Sequence, residues 1–267
     1  MTDQDQPLAR QRAKAPTIFD VAKQAGVSIK TVSRVVNAEI NVRESTREKV
    51  LAAINDLHYR PNTAARVLSG KRFYVIGLIY ENPNEFSYVQ KVLNGALKAC
   101  EVGGYTFLLL PLTLPNPDLI QDVRRFVSQS RLDGVVLPAP IGDFTSIQRL
   151  LTDLDIPFAR IAPRMPLADE LSIHCNDEQA SFDVTQFLID QGHQQLGFIK
   201  GDPIHAATAH RFEGYLRALK ANAIEYHREY VQDGQFSFES GRSASRALLD
   251  LRSPPSAIVA SNDDMAA

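Results

Sequence analysis

Cysteine is scarce in this chain of 267 residues: Cys100 and Cys175 are the only two. Two thiols so placed make neither a disulfide framework nor a metal-ligand cluster, so the fold has to rest on other forces. Both read as small core or near-core side chains. Long apolar runs are also missing, and none approaches the ~20 residues that span a bilayer. The opening MTDQDQPLARQRAKAP is polar and has no signal-peptide core, which predicts a disordered arm over 1–15, a cytoplasmic location and no membrane partner. No Gly-x-Ser-x-Gly elbow or P-loop occurs, and the six histidines include no pair at metal-ligand spacing. The sequence therefore points to no catalytic residues, no metal and no cofactor.

What the chain does carry is an uneven distribution of charge. Residues 1–72 contain 13 Lys/Arg and 7 Asp/Glu, a net of +6, while the remainder has 16 basic and 24 acidic residues, a net of −8. Only the front segment is suited to a polyanion. The length leaves room for two or three compact units with at least one sizeable core.

Residues 17–37, TIFDVAKQAGVSIKTVSRVVN, read as two short helices joined by a glycine turn. Thr17 can cap the first helix, with Asp20 three residues on as the returning acid. Ile18, Val21, Ala22 and Ala25 recur at helical spacing. Gly26 can take the left-handed conformation that ends a helix, and Ser28 can cap the next. In that second helix Val32, Val35 and Val36 face inward, leaving Ile29, Lys30, Ser33 and Arg34 nearer solvent. A third helix is predicted over Val42–Tyr59, with Ser45 and Glu48 as a capping box and Val50, Leu51, Ile54 and Leu57 as its apolar stripe. With the positive charge of this segment, these elements predict a DNA-binding domain over 16–61. After Arg60-Pro61, Asn62 can cap a short helix reaching Leu68. At that length it folds only when something packs against it, and it occupies a hinge and linker over 62–71.

From Phe73 onward apolar strands alternate with amphipathic helices. Strands are predicted at 74–80, 106–112, 134–137, 158–161, 196–200 and 257–260, with helices at 88–102, 118–130, 144–154, 177–191, 209–221 and 238–249. Such alternation implies parallel sheets covered on both faces. The strand pattern falters at Ala162–Ser172, the expected crossing between an N-lobe (about 72–165) and a C-lobe (about 166–267). Ligands of such sheets bind beyond the carboxyl ends of the strands, so a cleft between the lobes is the expected site. The chain stops in the first turn of a helix after Ser261, which reads as a domain cut short.

Taken together, TIFDVAKQAGVSIKTVSRVVN, VRESTREKVLAAINDLHYRPNTAARVLSGK, GHQQLGFIKGD, HRFEGYLRAL and IVASNDDMAA resemble the LacI/GalR family of bacterial transcription regulators from Thr17 onward. The resemblance implies an all-α helix-turn-helix headpiece followed by an α/β two-lobed, periplasmic-binding-protein-like effector domain in a homodimer. It implies a repressor whose partners are double-stranded operator DNA and a small-molecule effector, expected to be a sugar or sugar derivative. Ile29, Lys30 and Arg34 match the family's base-reading positions, where Lys or Arg can donate to guanine O6 and N7 and Ile29 can meet a thymine methyl. Thr17, Ser28, Thr31, Ser33, Asn37 and Tyr59 carry hydroxyls or amides suited to phosphate oxygens. Asn62, Ala65 and Leu68 match the hinge that enters the minor groove, with Leu68 as the wedge. Arg211 aligns with a family arginine that holds the ligand, and Asn262, Asp263, Asp177 and Tyr88 are further effector-site candidates. The aromatic pair with which purine-binding members stack a base is absent here, because Val89 follows Tyr88.

Overall fold

The computed structural model of the protein describes residues 16–36, 41–59, 72–81, 87–166 and 169–267. The expected arm over 1–15, Asn37, and the hinge with Asn62, Ala65 and Leu68 lie outside the described residues. Contacts divide the chain into two compact units, Met1–Phe73 and Tyr74–Ala267.

The first unit is built from α1 (Ile18–Ala25), α2 (Ile29–Val36) and α3 (Glu44–Asp56). Asp20 closes the start of α1 by accepting hydrogen bonds from the Thr17 amide and hydroxyl, each 2.7 Å. Gly26 ends it at φ 65°, a left-handed conformation that costs glycine nothing. Ser28 Oγ then accepts from the Thr31 amide at 3.1 Å, capping α2. Val21, Ala22, Val32, Val35, Val50, Ala53 and Tyr59 form the core, flanked by Ile18, Ala25, Val36, Ile54 and Leu57.

Two expectations for α3 are corrected. The helix starts at Glu44 behind an extended Arg43, so Ser45 falls inside the first turn and does not cap it. Leu51 points to solvent at 45% exposed, and Ala53 takes the inward place. A single-helix stripe is broad enough to admit either side chain, and the partners α1 and α2 decide between them.

The second unit has two parallel sheets. In the first, β1 (Val75–Glu81), β2 (Thr106–Leu112), β3 (Gly134–Pro138), β4 (Phe158–Ile161) and β5 (Ser172–Ile173) stand in the order β2-β1-β3-β4-β5. Helices α4 (Ser87–Gly103), α5 (Leu119–Ser130) and α6 (Thr145–Asp153) make the connections. The core of this lobe is aliphatic, with Ile79, Val123, Leu137, Ile147 and Leu151 at its centre. The second sheet runs β7-β6-β8 and comprises β6 (Leu196–Lys200), β7 (Val231–Asp233) and β8 (Ala257–Ala260). Helices α7 (Asp177–Asp190), α8 (Ala206–Ala221), α9 (Phe238–Leu249) and the short α10 (Asp263–Ala266) surround it.

β5 and β7 escape sequence reading because they are two and three residues long and mostly polar. β5 pairs with β4 through Arg160↔Ser172 and Ile161↔Ile173, so the chain leaves the first lobe between Ile173 and Asp177. The expected crossing at 162–172 is thus too early. That stretch is fastened to the first lobe by Arg160, 4% exposed, which donates to the Met165 carbonyl at 2.9 Å and pairs with Glu170 and Asp143. A second correction concerns the cysteines: Cys100 is buried as expected, but Cys175 is exposed in the crossing.

The glycine of the HRFEGYLRAL segment has a packing reason. A Cβ on Gly214 of α8 would stand 2.1 Å from the Glu178 carbonyl oxygen and 2.9 Å from the Phe182 nitrogen, both backbone of α7. Neither atom can move without shifting a helix. Gly214→Ala is therefore expected to destabilise the α/β unit by about 1–3 kcal/mol, read as a lower urea midpoint, despite alanine's better helix propensity. An unchanged midpoint would show that the two helices separate at no cost.

Candidate functional site

In the first unit the cap at Ser28 fixes where α2 begins, and so which side chains face outward. Ile29 is 40% exposed although it is a large aliphatic, and Lys30 beside it is exposed. Arg34, one turn later, is half-buried, as are Thr31 and Ser33. Ser28 Oγ and Thr31 Oγ1 lie 2.9 Å apart, so the first turn of α2 offers a tight hydroxyl pair with a cation and an aliphatic next to it. This is the surface expected of a helix that meets base edges with its N-terminal residues and phosphates with its small polar ones. Thr17 stands at the start of α1 with its hydroxyl proton given to Asp20. Tyr59 differs from the other residues expected to face phosphate: it is buried, at 8% exposed, in the headpiece core, where it packs as a core residue.

In the second unit the lobes meet beyond the carboxyl ends of β1, β6 and β8. Arg211, in the second turn of α8, is the centre of that junction. Its Nε and Nη2 donate to Asp177 Oδ1 at 2.9 and 2.7 Å, and its Nη1 donates to the Ser261 carbonyl. One guanidinium thereby ties α8 to the start of α7 and to the turn after β8. Asn262 caps α10 by accepting from the Met265 amide at 3.0 Å while its Nδ2 donates to the Phe236 carbonyl at 2.9 Å. Tyr88 comes from the other lobe, in the first turn of α4. Burial raises its phenol pKa most; the Cys175 thiol and Asp177 carboxyl raise it further, and the Arg211 guanidinium opposes them. Tyr88 is half-exposed, near enough to the second lobe for the charges of Asp177 and Arg211 to act on its phenol. Asp263 lies at the rim, its carboxylate 3.5 Å from Lys91 Nζ of α4.

The structure adds residues that sequence reading did not single out. Ser87 Oγ donates to Asp264 Oδ2, joining the first turns of α4 and α10 across the lobes. His205 Nε2 lies 3.5 Å from Glu81 Oε2, a second cross-lobe contact. Arg164 supplies a third by donating to the Ile204 carbonyl at 3.0 Å. The Phe236 ring meets His205 edge-on at 5.3 Å, on a backbone with φ 60° that few non-glycine residues adopt. Asp264 was within reach of inspection, since it follows the Asn262-Asp263 pair already chosen. Phe236 and His205 carry no local signal. A cavity of about 460 Å³ opens on the second lobe at the ends of β6 and β7, with Lys200, Thr208, Phe212 and Asp233 in its lining.

Among the described residues no group of three or more His, Cys, Asp or Glu side chains could hold a metal ion. None of the described helices is long and apolar enough to cross a membrane.

Comparison with known proteins agrees with both units. Residues 17–62 match the family described as bacterial regulatory proteins, lacI family, and residues 74–267 match the periplasmic binding proteins and sugar binding domain of the LacI family. The HTH-type transcriptional repressor PurR of Photobacterium profundum is 34% identical over 94% of this chain and 74% of its own length. Catabolite control protein A of Priestia megaterium is 33% identical over 94% of this chain and 75% of its own length. Among solved structures, the lac repressor dimer bound to operator and the anti-inducer ONPF is 28% identical with a TM-score of 0.63, covering 95% of this chain and 76% of that one. The complex of the transcriptional regulator CelR with cellobiose is 29% identical with a TM-score of 0.62, covering 94% of this chain and 75% of that one. With a helix-turn-helix unit and a two-lobed α/β unit matched in the same order along one polypeptide, the chain belongs to the lacI family of bacterial regulatory proteins, which are regulators and not enzymes.

Proposed function

We propose that this regulator is a cytoplasmic, homodimeric repressor that binds double-stranded operator DNA and is controlled by a carbohydrate seated between its lobes. The observation that carries the reading is the coexistence of two built surfaces in one chain. One is the capped α2 with exposed Ile29 and Lys30; the other is the lobe junction beside Arg211, crossed by Ser87–Asp264 and Glu81–His205. A dimer and an operator are present in the lac repressor structure, and cellobiose is the ligand in that of CelR. The relatives also include PurR and catabolite control protein A, so effector identity does not follow from kinship alone.

In this reading Ile29, Lys30 and Arg34 read bases, and Thr17, Ser28, Thr31, Ser33 and Asn37 hold phosphates. Tyr59 supports them from the core. Asn62, Ala65 and Leu68 form the hinge, with Leu68 as the wedge that unstacks a step in the minor groove. Residues 16–61, 62–71 and 72–267 act as reader, hinge and sensor. Effector binding that shifts the lobes changes how the paired hinges meet DNA, and by linkage DNA must change effector affinity to the same degree. In the sensor Arg211, Asp177, Tyr88, Asn262 and Asp263 line the ligand, with Phe236 beneath it as an apolar surface.

Selection from a randomised duplex library tests the reader. Arg34→Ala should bind its best site more weakly by about 1–3 kcal/mol and lose discrimination at one base pair per half-site. An unchanged selected sequence would remove Arg34 from base reading. For the sensor, a carbohydrate that raises the melting temperature of the wild type should raise that of Arg211→Ala much less, because a ligand stabilises only the state it binds. An equal rise in both proteins would place the ligand elsewhere.

A further inference from the structure

The cavity of about 460 Å³ on the second lobe lies on the β7 side of α8, away from the junction residues. Sheet order β7-β6-β8 puts Arg211, which reaches the Ser261 carbonyl after β8, on one flank of that helix. The next residue, Phe212, turns to the other flank, where its ring meets Lys200 of β6 and Tyr226 of the segment before β7. The lining comes wholly from the second lobe and includes none of Tyr88, Asp177, Arg211, Asn262 and Asp263.

Lys200 and Asp233 are register partners at the ends of the parallel strands β6 and β7. Paired residues of neighbouring strands leave a sheet on the same face, so these opposite charges stand side by side in the cavity wall. They nevertheless do not bond to each other. Lys200 Nζ sits 4.2 Å from the centroid of the Phe212 ring, and neither charge belongs to an ion pair among the described residues. The ring is itself held in place, with centroids 5.5 Å from Phe198 and 6.3 Å from Tyr226. Lys200 is half-buried, so its ammonium has lost part of its water, while Asp233 is exposed at the rim. The neutral polar groups nearby are already used: Thr208 Oγ1 donates to the Asp202 carbonyl at 2.6 Å and Gln235 Nε2 to the Gly234 carbonyl at 2.9 Å. A lone anion on Lys200 would meet Asp233, and a lone cation on Asp233 would meet Lys200. A molecule that carries both charges close together satisfies both groups at once. An α-amino acid has that spacing, with carboxylate and ammonium on one carbon, and its side chain can lie on Pro203, Ala209 and Phe212.

We propose that this cavity binds a zwitterionic α-amino acid with an apolar side chain, its carboxylate on Lys200 and its ammonium on Asp233. The site stands independently of the carbohydrate reading of the lobe junction.

Titration calorimetry of this chain provides the test, with L-leucine and L-phenylalanine as probes. Each is measured beside its N-acetyl form, which lacks the ammonium, and its amide, which lacks the carboxylate. The free amino acids should bind, and each blocked form should bind at least about tenfold more weakly, the loss expected for one charge-assisted bond. Lys200→Gln and Asp233→Asn should each weaken the free amino acid by a similar factor, with circular dichroism showing the fold kept. The wild-type comparison stands without either variant. A blocked form that binds as tightly as its parent would overturn the zwitterion assignment. Unchanged affinity in a folded Lys200→Gln would place the ligand elsewhere and overturn the site. No saturable binding of either amino acid would overturn the proposal outright, and none of these outcomes bears on the carbohydrate reading.

Discussion

The second lobe's side of the junction is organised by one guanidinium. Arg211 is held on α8, and its three bonds reach the first residue of α7 and the carbonyl that precedes Asn262. Break that fork and three chain segments that converge from different parts of the fold lose their common point. A charged group tied by several short hydrogen bonds in a partly buried place is costly to strip of any partner, because the remaining charge is then left unmatched.

Around this fork several polar contacts join the lobes. Among the described residues they are Ser87 with Asp264, Lys91 with Asp263, Glu81 with His205 and Arg164 with the Ile204 carbonyl. The cores lie elsewhere, one under the first sheet and smaller ones about the second. Polar cross-lobe contacts of this kind are weak when exposed and can exchange for contacts to a ligand at little net cost. A sensor needs that property: the bodies of the lobes are rigid through apolar packing, and the seam between them is held by interactions a polyhydroxy compound can replace.

The headpiece obeys a different economy. Its core is a handful of Val and Ala side chains plus Tyr59, so helix ends carry much of the specification. Asp20 on Thr17, Gly26 at positive φ and Ser28 on Thr31 together define where α1 stops and α2 starts. Because the cap sets the phase of α2, it also decides that Ile29 and Lys30 face outward while Val32 and Val35 face in. Exposed face and core are two consequences of one local geometry.

Much of this was legible in the sequence. Caps, the glycine turn and the 3.6-residue spacing of α1 and α2 involve residues within a few positions of each other, so composition and order suffice. Strands β2, β4, β6 and β8 end where their apolar runs end. The second lobe's junction residues Arg211, Asp177 and Asn262 could be chosen from their place after strands and from kinship. What the tertiary structure alone decided is who meets whom over long separations. Ser87 and Asp264 lie 177 positions apart, and no local pattern joins them. Leu51 outward, Tyr59 inward, Cys175 exposed and Arg160 buried in β4 were likewise settled by neighbours distant in sequence. Local order dictates which elements form and which face each presents. Only packing dictates which charges are paired when those faces come together.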